Sequence, residues 1–466
     1  MIISNGKAEN IRVAYIGGGS RGWAWTFMTD LAMEPSMSGE IALYDIDREA
    51  AENNRIIGGR ITADPSAVGK WAYRVADSLQ NALTGADFVI ISILPGTFDE
   101  MEHDVHLPER LGIWQSVGDT AGPGGMIRAL RTIPMFVEIA EAIRDFAPGA
   151  MVINYTNPMT LCMQTLYRVY PGIKAFGCCH EVFSTQKLLA AAANEILGME
   201  EISRDEVHVN VLGVNHFTWF DRASCRGVDL MPVYREFVGK HYEEGYNEPD
   251  RNWMNSSFNC AHRVKFDLFN RFGLIAAAGD RHLAEFMPGD EYLKDPETVK
   301  SWKFGLTTVA WRKQDREQRL ARSARLVSGE ESVSLTPSGE EGIRLMRALC
   351  GLERVVSNVN LLNVGQIANL PLGAVVETNA VFSKGAIQPV FAGSLPQDLR
   401  ALMLPHVSNH QLILDAALTC DREKVERAFL NDPAITARNL SEADVRKLAN
   451  DMIDATRAYL PAGWFE

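Results

Sequence analysis

Two residues with side chains that commonly bind transition metals each follow a β-rich run. Cys179 comes after Lys174–Gly177, and His216 comes after Val207–Leu212. A thiolate and an imidazole together suit a divalent transition metal. Two protein ligands would leave coordination positions open, which is typical of catalytic sites and not of structural ones. The spacing alone favours the alternative of a buried cysteine and a packed, hydrogen-bonded histidine.

Three further polar residues are placed where they could reach the same crevice. Asp119 lies in the glycine-rich run Gly118–Gly125, ahead of a long helical pattern, and His180 directly follows the candidate cysteine ligand. Asn157 precedes Pro158, which keeps the backbone extended and allows a helix to begin. The Asn157 amide could then donate to and accept from a sugar hydroxyl, and a helix N-cap is the alternative role.

A further cluster of ionisable residues lies later in the chain. The run Gly279–Pro288 contains Asp280, Arg281, His282 and Glu285. Four ionisable groups are dense for a loop between glycines and a proline. The run is therefore a candidate for the site, with a solvated charge run as the alternative.

The clearest chemical signature is a glycine-rich turn between a predicted strand and a predicted helix. Gly17, Gly19 and Gly22 form a Gly-x-Gly-x-x-Gly pattern after the strand Arg12–Ile16, with Ser20 in the same turn. Such glycines allow a tight turn, backbone approach to a pyrophosphate and close packing of the next helix. The N–H groups at that helix start attract phosphate. The pattern predicts dinucleotide binding, and a purely structural turn is the alternative.

Two acidic residues close the second predicted strand. Asp45 is placed to accept hydrogen bonds from the adenosine ribose, and an acid there disfavours a 2′-phosphate, so NAD is preferred to NADP. The alternative assignment makes Asp47 the ribose ligand and Asp45 a helix cap.

The elements that must position these residues alternate between strand and helix from Ile11 to about Leu212. This alternation predicts an α/β fold with a Rossmann-like, doubly wound parallel sheet. We expect residues 1–200 to form the NAD-binding domain and residues 201–466 a mixed α+β substrate domain. The β-rich runs are Arg12–Ile16, Ile41–Tyr44, Trp71–Val75, Phe88–Ile93, Met151–Asn154, Lys174–Gly177 and Val207–Leu212, and the clearest helical patterns are Arg48–Ile61, Gly125–Phe146 and Thr185–Leu197.

Composition narrows the classes of function. The 466 residues carry a net charge of −13, whereas a nucleic-acid partner would require a basic stripe. The chain has no uninterrupted apolar stretch of about 18 residues, so we expect no membrane span, and its polar start lacks a secretory core. Seven cysteines without framework spacing fit a reducing compartment, so we expect a cytoplasmic protein.

Taken together in this order, the motifs resemble those of glycoside hydrolase family 4. The resemblance runs from about residue 11 to beyond 380, and its motifs are the glycine pattern, Leu-Tyr-Asp-Ile-Asp, Asp-Thr-x-Gly-Pro-Gly-Gly, Asn-Pro, Cys-His, Gly-x-Asn-His and Asn-Leu-Pro followed by Val-Glu. It implies NAD and a divalent metal, usually manganese, held by Cys179 and His216. It also implies an overall arrangement like that of lactate and malate dehydrogenases, and a homodimer or homotetramer.

The variant of the Cys-His motif points to a subgroup. Cys179-His180-Glu181-Val182 resembles the α-galacturonidases, which act on pectin-derived oligogalacturonates. Relatives with Cys-His-Gly are α-galactosidases, α-glucosidases and α-glucuronidases, and phospho-sugar members commonly carry Cys-Asp. The alternatives within the family are therefore α-galactosidase and α-glucuronidase activity.

The resemblance also implies a mechanism for glycoside cleavage, unlike the two-carboxylate one. It consists of C3 oxidation by NAD, C2 deprotonation, elimination of the C1 substituent, water addition and re-reduction. His180 matches the position of the leaving-group acid, Asp119 is expected near the metal and the C2–C3 edge, and Asn157 is expected to bind sugar hydroxyls. The C2 base is open, because Val264–Phe269 lacks the tyrosine that some members use there.

A uronate substrate also requires a cation for its carboxylate. A guanidinium binds a planar carboxylate through two parallel donors, so Arg281 is the first candidate, with Lys265 and His282 behind it. Two functions outside the family stay open at this point. They are a plain NAD-dependent dehydrogenase of a sugar or hydroxy acid, and a non-catalytic NAD-binding protein.

Overall fold

The structure is a computed structural model that describes residues 1–248, 252–256 and 258–466. Its fourteen described strands are β1 (Ile2–Ser4), β2 (Lys7–Ile16), β3 (Met37–Tyr44), β4 (Lys70–Val75), β5 (Phe88–Ile91), β6 (Met151–Asn154), β7 (Lys174–Gly177), β8 (Val207–Val214), β9 (Phe217–Cys225), β10 (Val228–Asp229), β11 (Ile275–Ala276), β12 (Val355–Leu362), β13 (Val375–Ser383) and β14 (Ala386–Pro389).

The α-helices of the described residues surround these strands. They are α1 (Trp23–Ala32), α2 (Arg48–Ala63), α3 (Leu79–Leu83), α4 (Phe98–His106), α5 (Gly122–Phe146), α6 (Met159–Val169), α7 (Glu181–Leu197), α8 (Leu230–His241), α9 (Arg263–Phe272), α10 (Asp280–Phe286), α11 (Pro296–Ser301), α12 (Val309–Ser328), α13 (Gly342–Leu349), α14 (Gln397–Thr419), α15 (Arg422–Leu430), α16 (Pro433–Thr436) and α17 (Glu442–Ala455).

The main sheet contains the predicted doubly wound core. Six parallel strands lie in the order β4-β3-β2-β5-β6-β7, which is the strand order of dinucleotide-binding sheets. Every residue of β5 and β6 is buried, as expected for strands that helices cover on both faces. The prediction of a Rossmann-like parallel sheet is confirmed.

The second half of the chain enlarges this sheet. Strand β12 pairs antiparallel with β7 at Asn360 and Gly177, and β13 and β14 follow antiparallel beyond it. The carboxyl end of β7 therefore lies beside residues near position 360. This pairing brings the two halves of the chain together next to Cys179.

The placement of the run Val207–Leu212 in the parallel sheet is wrong. The run does form a strand, but β8 pairs antiparallel with β9 in a separate sheet with β10 and β11. An apolar run indicates burial and an extended backbone, and it carries no information about which strand becomes its partner. The turn between β8 and β9 holds His216.

Apolar side chains form the layers that fix these elements. One cluster covers each face of the main sheet, and a third joins α5 to the C-terminal helices through Leu130, Ile413, Phe429 and Met452. In the described residues, no helix is long and apolar enough to cross a membrane.

Candidate active site

A cavity of about 630 Å³ opens where the main sheet meets the second half of the chain. It lies beyond the carboxyl ends of β6 and β7, the usual ligand position in open parallel sheets. Seven of the predicted site residues line it: Asp119, Asn157, Cys179, His180, His216, Arg281 and His282. Residues more than 160 positions apart in the sequence thus line the same cavity.

Cys179 and His216, the predicted metal ligands, reach the cavity from different sheets. Cys179 follows β7, and His216 occupies the β8–β9 turn with a left-handed backbone (φ 64°). A histidine with positive φ is uncommon and is found preferentially at functional sites. The ring of His282 lies 3.8 Å from that of His216, centroid to centroid.

A short chain of hydrogen bonds fixes the orientation of His216. The Thr120 hydroxyl donates to Asp119 Oδ1 at 2.8 Å, and its oxygen lies 3.1 Å from His216 Nδ1. Because that hydroxyl proton is already donated, the Thr120 oxygen must accept from Nδ1–H. The lone pair of His216 then resides on Nε2, the arrangement that metal-binding histidines need. Burial lowers the pKa of His216 to about 3, so the ring is neutral at neutral pH.

The electrostatics of the cavity suit a cation near the thiol. Burial, with Glu377 and Glu181 nearby, raises the pKa of Cys179 well above its ordinary value. A bound divalent cation reverses this effect, because a coordinating thiol is deprotonated outright. Burial alone would raise the pKa of Asp119, but Arg128 and His282 outweigh it and lower that pKa to about 2. A thiol and a neutral imidazole are donors that fit a divalent transition metal.

Three polar atoms of the cavity walls have no hydrogen-bond partner within the described part of the chain. They are Asn157 Oδ1, His282 Nδ1 and Arg312 Nε, all of which are buried. A buried polar atom without a partner is costly, and in a cavity it marks a position where a ligand can form the bond. The Asn157 side-chain oxygen is therefore available to accept a hydrogen bond from a ligand.

His180 lies at the cavity mouth. Its side chain is half exposed, its Nδ1 is 3.1 Å from Glu340 Oε1, and its ring centroid is 5.8 Å from that of Trp23. The position and the partner both suit a proton donor to a leaving group that departs towards solvent.

The glycine turn has the geometry that a dinucleotide requires. Gly17 has φ 90°, and a Cβ there would lie 1.9 Å from Ser92 O. No acidic residue lies in the first turn of α1, and no side chain caps it, so its N–H groups and positive dipole end face the turn. The residues present fit a bound pyrophosphate.

The two acidic residues of the second strand have different roles. Asp47 caps α2 by accepting from Ala50 N–H at 3.0 Å. Asp45 instead accepts from Gly19 N–H at 2.8 Å, and it therefore lies against the glycine turn. Asp47, and not Asp45, is therefore the cap of α2.

Two of the cationic residues predicted to bind the substrate carboxylate form hydrogen bonds within the protein. Arg281 donates through Nε to Gly305 O at 3.2 Å and through Nη2 to Ser116 O at 2.5 Å, and it also contacts Thr307. Lys265 is fully buried, is not among the cavity-lining residues, and donates to Thr185 Oγ1 at 2.7 Å.

Comparison with known proteins decides the family. The model described as "Family 4 glycosyl hydrolase" matches residues 12–195, and that of "Family 4 glycosyl hydrolase C-terminal domain" matches residues 211–435. The chain belongs to glycosyl hydrolase family 4. Four curated relatives that are 52% to 63% identical are named α-galacturonidase. One of them, from Lachnoclostridium phytofermentans, is 63% identical over 465 residues, which is 100% of both chains.

Solved structures agree with this family 4 fold. A protein described as a putative glucosidase, lplD from Bacillus subtilis, has a TM-score of 0.91 at 52% identity, covering 95% of this chain and 100% of that one. A 6-phospho-α-glucosidase from gut microorganisms, solved in complex with NAD and Mn²⁺, has a TM-score of 0.77 at 19% identity, covering 97% and 99%. The latter shows a shared fold.

Several residues of this family 4 site were not singled out by the sequence. Thr120 lay inside a recognised motif, but its contact with His216 depends on the β8–β9 turn. Trp23 stacks on Tyr155 at 5.5 Å at the cavity edge. Arg312 comes from α12, in a stretch with no motif. An isolated side chain on a polar helix gives no sequence signal, and only the assembled cavity reveals it.

Proposed function

We propose that this protein hydrolyses α-galacturonides, the α-linked ends of pectin-derived oligogalacturonates, with NAD and Mn²⁺ as cofactors. The observation that carries the proposal is the meeting of Cys179, oriented His216 and the Cys-His-Glu-Val segment in one cavity beside the glycine turn. The names of the relatives that are 52% to 63% identical supply the sugar class.

The cofactors would supply the redox and Lewis-acid chemistry, and the protein residues would hold them in place. When bound, NAD and Mn²⁺ supply transient sugar oxidation and Lewis-acid polarisation, which this family uses in place of two carboxylates. Cys179 and His216 would hold the metal. The glycine turn with Gly17, Gly19, Ser20 and Gly22 would hold the pyrophosphate, and Asp45 the ribose.

The remaining side chains bind and orient the sugar and move one proton. Asn157 Oδ1 accepts from a sugar hydroxyl, and His282 Nδ1 makes a second contact. His180 donates a proton to the glycosidic oxygen as the C1–O bond breaks. Asp119 stays ionised, and through Thr120 it holds His216 in place.

The deciding experiment is a hydrolysis assay on digalacturonate with NAD, Mn²⁺ and a thiol reductant. Galacturonate release and NADH absorbance are followed together, with chelator and NAD-free controls. Release that needs both cofactors without NADH accumulation supports the proposal. Stoichiometric NADH without cleavage would instead identify a dehydrogenase, and faster cleavage of a neutral α-galactoside would identify an α-galactosidase.

We further infer a homodimer or homotetramer in the cytoplasm, with the chain divided near residue 200. Val364, Leu372 and Phe391 are each more than two-thirds exposed on loops joined by hydrogen bonds, and such apolar patches are typical of interfaces. The seven cysteines are free thiols, which suits a reducing compartment. Light scattering coupled to gel filtration measures the oligomeric state directly.

A further inference from the structure

A galacturonide differs from a neutral hexoside by one carboxylate, and this cavity must hold it beside other negative groups. Asp119, Glu181 and Asp280 all line the same space, and the protein carries a net charge of −13. A carboxylate enters such an environment only against a cation that is free to bind it. The inference therefore rests on the proposed function.

Three cations at or near the cavity are already engaged. Arg281 uses Nε and Nη2 to tie the backbone at Ser116 and Gly305 to α10. Lys265 is buried outside the cavity lining and bonded to Thr185. Arg128 is buried, and it donates to Asn157 O at 3.3 Å. Arg281 therefore has two of its nitrogens bound to backbone carbonyls, and neither Lys265 nor Arg128 is among the residues that line the cavity.

Arg312 differs from all of them. It lies in the first turn of α12 and lines the cavity. Its Nε is buried and has no hydrogen-bond partner within residues 1–248, 252–256 and 258–466, and no ion pair to Arg312 is found there. A buried guanidinium nitrogen without a partner is costly, because the atom has lost water and gained nothing.

The surroundings of Arg312 keep its guanidinium available. The Phe258 ring centroid lies 5.9 Å from the Arg312 Cζ and 5.0 Å from that of Arg281. An aromatic ring beside a guanidinium supports the charge while leaving its N–H edge free. The positive charge of Arg312 also acts on Asp119, whose pKa it helps to lower.

We propose that Arg312 binds the carboxylate of the galacturonide and so determines the preference for uronides over neutral hexosides. Its Nε and one Nη supply the two parallel donors that a carboxylate accepts. Arg281 then has a structural role, because its bonds to Ser116 O and Gly305 O hold the cavity wall in position. The hydroxymethyl group of a galactoside forms no ion pair at this position, so Arg312 contributes little to binding a neutral sugar.

The test compares Arg312→Met and Arg312→Lys with a matched control, Arg316→Met. Arg316 lies one turn further along the same helix, is 57% exposed, and faces Glu317 at 3.6 Å. We expect kcat/KM on digalacturonate to fall roughly 100-fold in Arg312→Met, mainly through KM, as for loss of one partner of a desolvated charge pair. Arg312→Lys should recover only part of this loss, since an ammonium lacks the fork. Arg316→Met should match the wild type.

Binding measurements keep the result interpretable. Calorimetry with galacturonate and with galactose separates recognition of the carboxylate from catalysis, and NAD affinity with a thermal melt reports on folding. If Arg312→Met does not fold, galacturonate binding by Arg312→Lys takes its place.

The outcomes separate this inference from the proposed function. If the wild type cleaves digalacturonate and Arg312→Met cleaves it equally well, the inference is wrong and the carboxylate binds elsewhere. A wild type that ignores galacturonides but cleaves neutral α-galactosides would contradict the proposed function itself. Equal losses on charged and neutral sugars would overturn a role in specificity.

Discussion

At the scale of single residues, the site depends on how a neutral side chain is oriented before any ligand arrives. Thr120 contributes no charge, yet its hydroxyl connects the ionised Asp119 to His216. Without that oxygen, neither the tautomer nor the ring orientation of His216 would be fixed by this contact. Outer-shell partners of this kind affect metal affinity without touching the metal.

Thr120→Val therefore tests the orientation of His216. Valine keeps the shape and removes the hydroxyl, so we expect Mn²⁺ affinity to fall about 10- to 100-fold while NAD affinity is unchanged. Electron paramagnetic resonance of free Mn²⁺ measures the binding. Thr120→Ser is the control and should retain most of the affinity; an equal loss in both variants would contradict the role of the hydroxyl.

His180 allows a second test at this scale, based on the leaving group. A proton donor matters most when the departing oxygen is strongly basic. We expect His180→Asn to lose about 100-fold or more on digalacturonate, within the range of general acid catalysis, and far less on 4-nitrophenyl α-galacturonide, whose phenolate leaves without a proton. Similar losses on both substrates would show that His180 only binds the sugar.

At the scale of elements, Gly17 and Gly22 in the turn before α1 meet different surroundings. A Cβ at Gly17 would lie 1.9 Å from a backbone oxygen, in a left-handed conformation. A Cβ at Gly22 would meet only the Arg319 guanidinium, at 2.6 Å from Nη1, and that flexible side chain can move. Glycine is thus sterically required at position 17, whereas position 22 has room for a Cβ if the Arg319 side chain moves.

Gly17→Ala and Gly22→Ala should differ accordingly. We expect Gly17→Ala to abolish measurable NAD binding and lower the melting temperature, because neither the backbone of Ser92 nor that of Gly17 can shift without disturbing the sheet. Gly22→Ala should retain NAD binding to within about tenfold, because only a side chain rotates. Fluorescence titration with NAD provides the measurement. The prediction is contradicted if the two variants behave alike.

The sequence predicted these elements well where the signal is local. The limits of β6 and β7 agree with Met151–Asn154 and Lys174–Gly177, because apolar runs between turn residues determine strands. The pairing partners of the strands could not be predicted. Strand β8 belongs to a second sheet, and β12 extends the first one. The pairing of distant strands depends on tertiary packing that no local pattern records.

The same limit applies to the candidate site. Asp119, Asn157, Cys179 and His216 stood out because motifs place them after strands, and the cavity does bring them together. The motifs did not reveal that Arg281 is engaged by backbone carbonyls. The hydrogen bonds that a side chain makes with its neighbours can be seen only in the folded structure.

At the scale of the whole molecule, buried ionisable groups in the C-terminal helices link stability to pH. Asp432 is 2% exposed and caps α16, accepting from Ala434 N–H at 3.0 Å. Burial raises the pKa of Asp432 to about 7, and its bonds to backbone N–H groups offset only part of this effect. The unfolded chain ionises this group near pH 4. Between these values the unfolded state binds fewer protons, so stability falls as pH rises.

Asp432→Asn should remove this dependence. Asparagine keeps the cap and cannot ionise. Across the window from about pH 4 to 7, the variant should gain stability relative to the wild type by up to about 1.4 kcal/mol for each pH unit. Above pH 7 the difference should be constant. Urea unfolding followed by tryptophan fluorescence at pH 5, 6, 7 and 8 measures it.

The matched control is Asp421→Asn, at the cap of the neighbouring helix α15. Asp421 is about one-third exposed, and the side chain of Lys424 lowers its pKa. Its ionised form is therefore the stabilising one, so Asp421→Asn should lose stability relative to the wild type as pH rises through the carboxyl range near 4, and stay level above it. Two aspartate caps in one helical layer thus respond to pH with opposite sign, because one is buried without a cation and the other faces a lysine. A pH-independent difference for Asp432→Asn would show that its carboxyl is ionised in the folded protein throughout.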